Sequence, residues 1–250
     1  AYSQLVRSGK TELGGKVNFC VPTGNFGNIL AGYIARDMGL PVNKLICASN
    51  ANNVLTDFLD TGIYDRRREL IVTASPSMDI LISSNLERLL YFVSDCDSAL
   101  VKTLMTELSK KGRYSVDAVL KNKIGSVFLG GFCDDDATRA SIAKVFNEYG
   151  YLIDPHTAVA YNVWSRLNED ELSSPHTVIV STASPYKFCV DVLNALGADC
   201  PEGLAQFGAL SELTGTAVPA PLSELDGKPV RFTDAVAADA MRGYVTAKLS

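Results

Sequence analysis

The amino-acid sequence predicts an α/β fold, a layered and mostly parallel sheet flanked by helices. Short apolar, β-prone runs at residues 16–21, 44–48, 127–131 and 177–180 alternate with segments of helical periodicity. Small polar residues follow two of these runs, where each strand would end. In open parallel sheets, ligands bind at the carboxyl ends of the strands, so we expect these two loops to share one site.

Composition narrows the class of protein. The 250 residues suit one large domain, or one with a small appendage, and the net charge of −5 offers no basic surface for nucleic acid or an anionic membrane. No apolar run approaches the roughly 18 residues that span a bilayer. Six scattered cysteines without a C-x-x-C pair, and two histidines, argue against a metal site. We therefore expect reduced thiols, a cytoplasmic location, and neither nucleic acid nor membrane as a partner.

The first half of the chain reads as helix-rich. A helix end at residues 2–9 precedes a βαβ unit over residues 16–48, whose helix stops before Gly39 and Pro41. Periodicity predicts four further helices, at residues 53–59, 79–92, 97–111 and 115–121.

The second half continues the alternation. An acidic start at Asp134 opens a helix that runs to Tyr149, and Asp154 is placed to cap another. Helices are also predicted at residues 188–196 and 201–213, with a Pro-rich linker at 216–222. The pattern weakens from residue 199, so we expect a large-domain portion at 1–198 and a C-terminal appendage at 199–250.

The segment Val17–Leu30 carries the main site signal. A strand leads through Pro22 and two glycines, Gly24 and Gly27, into a helix. Such a loop presents unpaired N–H groups at the positive end of the helix dipole, which suits an anion. Neither a dinucleotide fingerprint nor a P-loop is present. Spacing alone leaves two interpretations open, a phosphate cradle and a tight βα turn.

Four motifs in order support a family resemblance: residues 22–32 (Pro-Thr-Gly-Asn-Phe-Gly-Asn-Ile-Leu-Ala-Gly), 75–88, 154–159 and 181–188. Together they resemble the threonine synthases over about residues 1–196. That family implies a tryptophan-synthase-β-like (type II) pyridoxal-phosphate fold. It also implies conversion of O-phospho-L-homoserine and water to L-threonine and phosphate.

The resemblance implies roles for particular residues. The cofactor phosphate would bind the loop and the pyridine nitrogen would meet a neutral hydroxyl, which makes the expected cofactor-binding residues Gly24, Asn25, Phe26, Gly27, Asn28 and Thr182. A substrate phosphate needs hydroxyl and amide donors with a cation. The expected substrate-binding residues are Ser77, Ser83, Asn85, Arg88, Lys187 and His156. The alternatives are a solvated helix face for the serine-rich stretch and a packed, hydrogen-bonded histidine.

One expected element is missing from the sequence. The family attaches its cofactor to a lysine upstream of the phosphate loop in a Phe-Lys-Asp-like context, and only Lys10 and Lys16 precede the loop here. We therefore expect the C-terminal portion of a longer enzyme, inactive without its N-terminal half. The alternatives are another type II pyridoxal-phosphate lyase, such as a serine or threonine dehydratase, and a non-catalytic module that binds phosphorylated metabolites.

Overall fold

A computed structural model describes residues 1–174, 176–231 and 233–249. It divides into two compact units, Ala1–Thr216 and Ala217–Ser250. The strands are β1 (Val17–Pro22), β2 (Val42–Ser49), β3 (Ile63–Asp65), β4 (Arg113–Ser115), β5 (Phe128–Phe132) and β6 (Thr177–Ile179). The helices are α1 (Tyr2–Arg7), α2 (Gly27–Asp37), α3 (Val54–Thr61), α4 (Leu86–Val93), α5 (Ser98–Lys111), α6 (Ala118–Val127), α7 (Asp135–Tyr149), α8 (Pro155–Ser165), α9 (Glu169–Leu172), α10 (Cys189–Ala195), α11 (Ala205–Thr214), α12 (Ala220–Ser223) and α13 (Met241–Leu249).

The central sheet has the order β5-β2-β1-β6, and every pairing in it is parallel. This confirms the predicted sheet. The side chain of Asn18, fully buried in β1, fixes the register of three strands. Its amide nitrogen bonds the Thr177 hydroxyl at 3.3 Å, and its oxygen accepts from the Asn43 side chain at 2.9 Å and the Lys44 amide at 3.1 Å.

Helices cover both faces of this sheet, so the strands are buried on both sides and read as continuous apolar runs. On one face Val21, Leu45 and Cys47 pack in a cluster with side chains of α2, α3 and α4. On the other face Cys20, Ile46 and Ala48 pack against α8. Successive residues of a strand point to opposite faces, which explains why neighbours in β1 and β2 belong to different clusters.

The predicted long helix over residues 79–92 is wrong. A 3₁₀ helix, Pro76–Met78, is followed by irregular backbone, and α4 begins only at Leu86. The Tyr64 hydroxyl accepts from the Ser83 amide at 2.8 Å and donates to the Leu81 carbonyl at 3.1 Å. Because a buried side chain binds these backbone groups, they do not take helical partners.

The small antiparallel sheet of β3 and β4 was not predicted from the sequence. Each strand has three residues, and β3 is followed by three arginines, residues 66–68, whose sequence is typical of a turn. The rings of Tyr64 and Tyr114 stack across the pair with centroids 5.3 Å apart and planes at 2°. Tertiary packing of these two rings, rather than local propensity, forms the sheet.

The second unit contains α12, a 3₁₀ helix at Ala238–Ala240, and α13. In this unit the Tyr244 hydroxyl donates to Asp234 at 2.6 Å. Across the described residues, helices fall short of the length and apolarity that crossing a membrane requires.

Candidate functional site

A cavity of about 310 Å³ opens at the carboxyl ends of β1 and β6. Its lining comprises the loop 22–28, Ser77, Met78, His156, Thr182 and Ala183. The two polar loops that follow β1 and β6 therefore meet at one site, as the sequence predicted. The structure also places all six expected cofactor-binding residues here, together with Ser77 and His156 from the expected substrate-binding set.

The loop 24–28 directs its carbonyl and amide groups to opposite sides. The Gly24 carbonyl accepts from the Ser83 hydroxyl at 2.8 Å. The Asn25 carbonyl accepts from the Asn85 side-chain amide at 2.7 Å and the Asn85 backbone amide at 3.2 Å. The backbone N–H groups of residues 24–28 have no hydrogen-bond partner among the described residues.

Free amides at the start of an 11-residue helix, α2, make an anion site. The amides carry partial positive charge, and the helix dipole adds to it at the same point. Since the Gly24 and Asn25 carbonyls are already hydrogen-bonded to Ser83 and Asn85, they do not compete with an anion for these amides. This geometry is the one that a phosphate cradle requires, and of the two interpretations that spacing left open, phosphate binding remains a prediction.

Phe26 anchors this loop in the core. Its backbone is left-handed, with φ 61° and ψ 10°, at the position that caps α2. Its ring is 1% exposed and lies 5.5 Å from the ring of Phe128. A non-glycine residue in this region costs about 1–3 kcal/mol, and burial of an aromatic ring offsets about that much. The buried ring thus holds a backbone shape that the loop would not adopt alone.

Gly24 lets the segment 76–78 approach the loop. A Cβ on this residue would lie 3.0 Å from the Met78 Cα and 3.2 Å from the Ser77 carbonyl oxygen, both backbone atoms that cannot yield cheaply. The absence of a side chain therefore brings Ser77 to the cavity wall.

A buried polar network holds the segment 73–79 in place. The Asp79 carboxylate accepts from the Thr73 amide at 2.9 Å and the Thr73 hydroxyl at 2.7 Å. It also accepts from the side chains of Asn50 at 2.8 Å and Asn52 at 3.1 Å. Sequence reasoning missed these residues. The sequence feature that could have indicated them is the asparagine-rich stretch directly after β2, at the same edge of the sheet as the loop 24–28.

His156 reaches the cavity from the first turn of α8 and is 3% exposed. Its Nδ1 lies 2.9 Å from Oδ1 of Asp154, which caps the helix as predicted, and its ring lies 4.8 Å from that of Phe188. Its Nε2 is buried and has no hydrogen-bond partner among the described residues. Thr182 follows β6, and its side chain is exposed to the cavity.

Four of the expected substrate-binding residues lie outside the cavity lining. Ser83 and Asn85 bind the outer, carbonyl side of the loop. Arg88 is exposed on α4 and bonds the Asn85 side chain, while Lys187 is exposed in the 3₁₀ helix Pro185–Phe188. In this structure Ser83 and Asn85 therefore support the loop 24–28. Contact of Ser83, Asn85, Arg88 and Lys187 with substrate remains a prediction.

Tyr64 holds residues 81–83, the segment that contacts the loop 24–28, in place. Burial raises the pKa of its phenol above the ordinary value, so the hydroxyl stays protonated and can donate to the Leu81 carbonyl. Because the same hydroxyl accepts from the Ser83 amide, it positions the residue that binds Gly24.

Comparison with known proteins shows which family this chain is similar to. Residues 157–245 match a family model described as threonine synthase, C-terminal. Human threonine synthase-like 1 is 43% identical over 197 residues, which cover 78% of this chain and 26% of the relative. The threonine synthase of Saccharomyces cerevisiae is 40% identical over 195 residues, covering 72% of this chain and 38% of that protein.

Solved structures agree. The structure of yeast threonine synthase matches with a TM-score of 0.80 and 33% identity over 94% of this chain and 47% of that one. The pyridoxal-phosphate-bound threonine synthase of Brucella melitensis matches with a TM-score of 0.72 and 38% identity, covering 86% and 45%. The chain thus spans less than half the length of each of these relatives.

Proposed function

We propose that this chain forms the phosphate-binding side of a pyridoxal-phosphate site. Support comes from its similarity in sequence and fold to threonine synthases and from the match of residues 157–245 to a model of their C-terminal part. The observation that carries this proposal is the set of free amides in the loop 24–28, whose carbonyls are bonded elsewhere. The cavity of about 310 Å³ and the unpaired Nε2 of His156 also fit a polar ligand of moderate size.

In this proposal each side of the cavity holds a different part of the cofactor. The amides of Gly24 to Asn28 bind the phosphate, aided by the dipole of α2. The Thr182 hydroxyl, which is neutral, forms a hydrogen bond with the pyridine nitrogen. Ser77, held at the wall by the Asp79 network, is positioned to donate to a substrate phosphate. When bound, pyridoxal phosphate supplies an electron sink for proton removal next to the amino group of an amino acid.

We further propose that the complete reaction is that of threonine synthase, which takes O-phospho-L-homoserine and water to L-threonine and phosphate. The lysine that such an enzyme requires would come from outside these 250 residues. This is consistent with the cavity lining, which contains no lysine among the described residues. The chain alone is then inactive and holds its cofactor without a covalent bond.

Titration with pyridoxal phosphate tests the proposal. The chain should bind it with an absorbance close to that of the free cofactor, and inorganic phosphate should compete. Borohydride treatment followed by mass spectrometry should give no reduced cofactor adduct on a lysine of this chain. Failure to bind would refute the cofactor site. A reduced adduct on a lysine of this chain, together with turnover of O-phospho-L-homoserine, would refute the need for an outside lysine.

The competing dehydratase function has its own test. With the chain joined to a lysine-bearing N-terminal part, release of phosphate from O-phospho-L-homoserine should exceed release of ammonia from threonine. The opposite ratio would favour the dehydratase. Cofactor binding without either activity would favour the non-catalytic module.

A further inference from the structure

The pair Asp154–His156 carries an inference that rests on the proposed cofactor site. Buried polar atoms are nearly always hydrogen-bonded, and an unpaired one costs stability. The Nε2 of His156 is buried without a partner among the described residues, in a side chain that lines the cavity. An unpaired polar atom in a side chain that lines a ligand cavity points to a partner on the ligand.

The surroundings of His156 determine what this atom offers. The Asp154 carboxylate is 0% exposed and accepts from the His156 backbone amide at 2.9 Å, the Thr157 amide at 3.4 Å and the Thr157 hydroxyl. Because an ionised carboxylate only accepts hydrogen bonds, the ring nitrogen beside it, Nδ1, carries the proton. His156 lies in the first turn of α8, where the positive end of the helix dipole favours an uncharged ring. On an uncharged ring with its proton on Nδ1, Nε2 has a lone pair and is a hydrogen-bond acceptor.

The ring itself has little freedom to turn. One edge is bonded to Asp154, and Phe188 packs at 4.8 Å between ring centroids. Thr157 links this arrangement to the loop after β6, since its hydroxyl lies 3.3 Å from that of Ser181, the neighbour of Thr182. The acceptor is therefore held at one point, in a residue that lines the same cavity as Thr182, the residue proposed for the pyridine nitrogen.

We propose that Nε2 of His156 accepts a hydrogen bond from a protonated oxygen or nitrogen of bound pyridoxal phosphate, and that Asp154 is a positioning residue which sets the ring tautomer. The phosphate-binding loop supplies donors, whereas this site supplies an acceptor. The cavity therefore distinguishes the protonated end of the ligand from its anionic end.

Histidine side-chain NMR on the ¹⁵N-labelled 250-residue chain tests the tautomer directly. The sequence contains two histidines, so His176 serves as the internal reference. In the free chain, His156 should show the proton on Nδ1 and a lone pair on Nε2. Pyridoxal phosphate should shift the Nε2 resonance of His156 and leave His176 in place. A proton on Nε2, or an unmoved Nε2 resonance while the cofactor is bound, would overturn the proposal.

Three variants separate binding from folding. In His156→Asn the amide still donates to Asp154 but Nε2 is lost, so Kd for pyridoxal phosphate should rise about 2- to 12-fold, the effect of one net hydrogen bond. His156→Gln places a polar atom near Nε2 and should recover part of this loss. In Asp154→Asn the helix cap is kept, since asparagine caps as well as aspartate, but the ring can change tautomer, so affinity should fall.

These outcomes are distinguishable from failure of the proposed function. If the unaltered chain does not bind pyridoxal phosphate, the cofactor site is refuted and this inference with it. If the unaltered chain binds and His156→Asn binds equally well, only the role of His156 is refuted. A lower unfolding temperature for His156→Asn with unchanged Kd likewise assigns the residue to folding and overturns the proposal.

Discussion

Replacing Ser83 by alanine tests whether the anion site depends on how the loop carbonyls are held. The Ser83 hydroxyl donates to the Gly24 carbonyl at 2.8 Å, and both residues are buried. Without this donor the carbonyl has no substitute among its neighbours and is free to turn toward the cavity. There its partial negative charge would oppose a bound phosphate.

The magnitude follows from the cost of a buried, unpaired acceptor, about 1–3 kcal/mol. If that cost falls wholly on folding, the unfolding temperature drops by about 2–4 °C per kcal/mol for a chain of this size. If it falls wholly on binding, Kd for pyridoxal phosphate rises about 5- to 150-fold, since each 1.4 kcal/mol is a factor of ten. We expect a weakened site in a folded chain, because the rest of the core is untouched.

Ser84→Ala is the matched control. The Ser84 side chain is exposed, and its hydroxyl lies 3.5 Å from Oδ1 of Asn25, at the limit of a hydrogen bond. Fluorescence titration with pyridoxal phosphate, beside thermal unfolding, should show a defect in Ser83→Ala and none in Ser84→Ala. Equal affinities for both variants and the unaltered chain would refute the reasoning that the carbonyls must be held away from the cavity.

Four other expectations rest on the same structure. Tyr64→Phe should lower the free energy of unfolding by about 1–3 kcal/mol in urea titrations, because two backbone groups lose their partner, whereas Tyr114→Phe, which keeps the ring stack, should change it little. Burial raises the pKa of both phenols in the folded state, so their contribution to stability is complete below about pH 10 and is lost as pH rises further; if the stability difference between the unaltered chain and Tyr64→Phe in urea titrations already shrinks below about pH 10, this is contradicted. A thiol reagent at pH 8 should label exposed Cys96 first and reach Cys47, whose pKa burial raises to about 12, only after unfolding; early labelling of Cys47 would contradict its burial. Gly24→Ala should both lower the unfolding temperature and weaken cofactor binding, because its Cβ would meet backbone at 3.0 Å, and a variant that matched the unaltered chain in both assays would count against a close approach there.

The sheet and the tight turn at residues 24–28 were predictable from the sequence because local patterns determine them. Apolar runs predicted the strands of the parallel sheet, and the glycines at positions 24 and 27 predicted a tight turn into a helix. The direction in which Ser83 and Asn85 point was not predictable. Their residue types suit a ligand phosphate, but in the structure they bind backbone carbonyls of a loop about 60 residues earlier in the chain.

Other features depend on contacts that the sequence does not display. The pair β3–β4 relies on the stacking of two tyrosines from distant segments. The helix predicted over residues 79–92 begins only at Leu86, because the Tyr64 hydroxyl bonds the Leu81 carbonyl and the Ser83 amide. The Asp154 cap was predictable from an Asp-Pro start, while the bond from that carboxylate to His156 Nδ1, and the unpaired Nε2 it leaves, required the three-dimensional arrangement.

The order of strands in the sheet has a consequence for the timing of folding during synthesis. The strand β1, which leads into the loop 24–28, is synthesised well before its neighbour β6: Asn18 bonds Thr177, 159 residues further along the chain. At typical translation rates of about 5–20 residues per second, the first strand waits on the order of ten seconds for that neighbour. Until then one edge of β1 is open to pairing with another nascent chain. The cavity is therefore among the last features to form, and protection of this edge by chaperones would matter most in that interval.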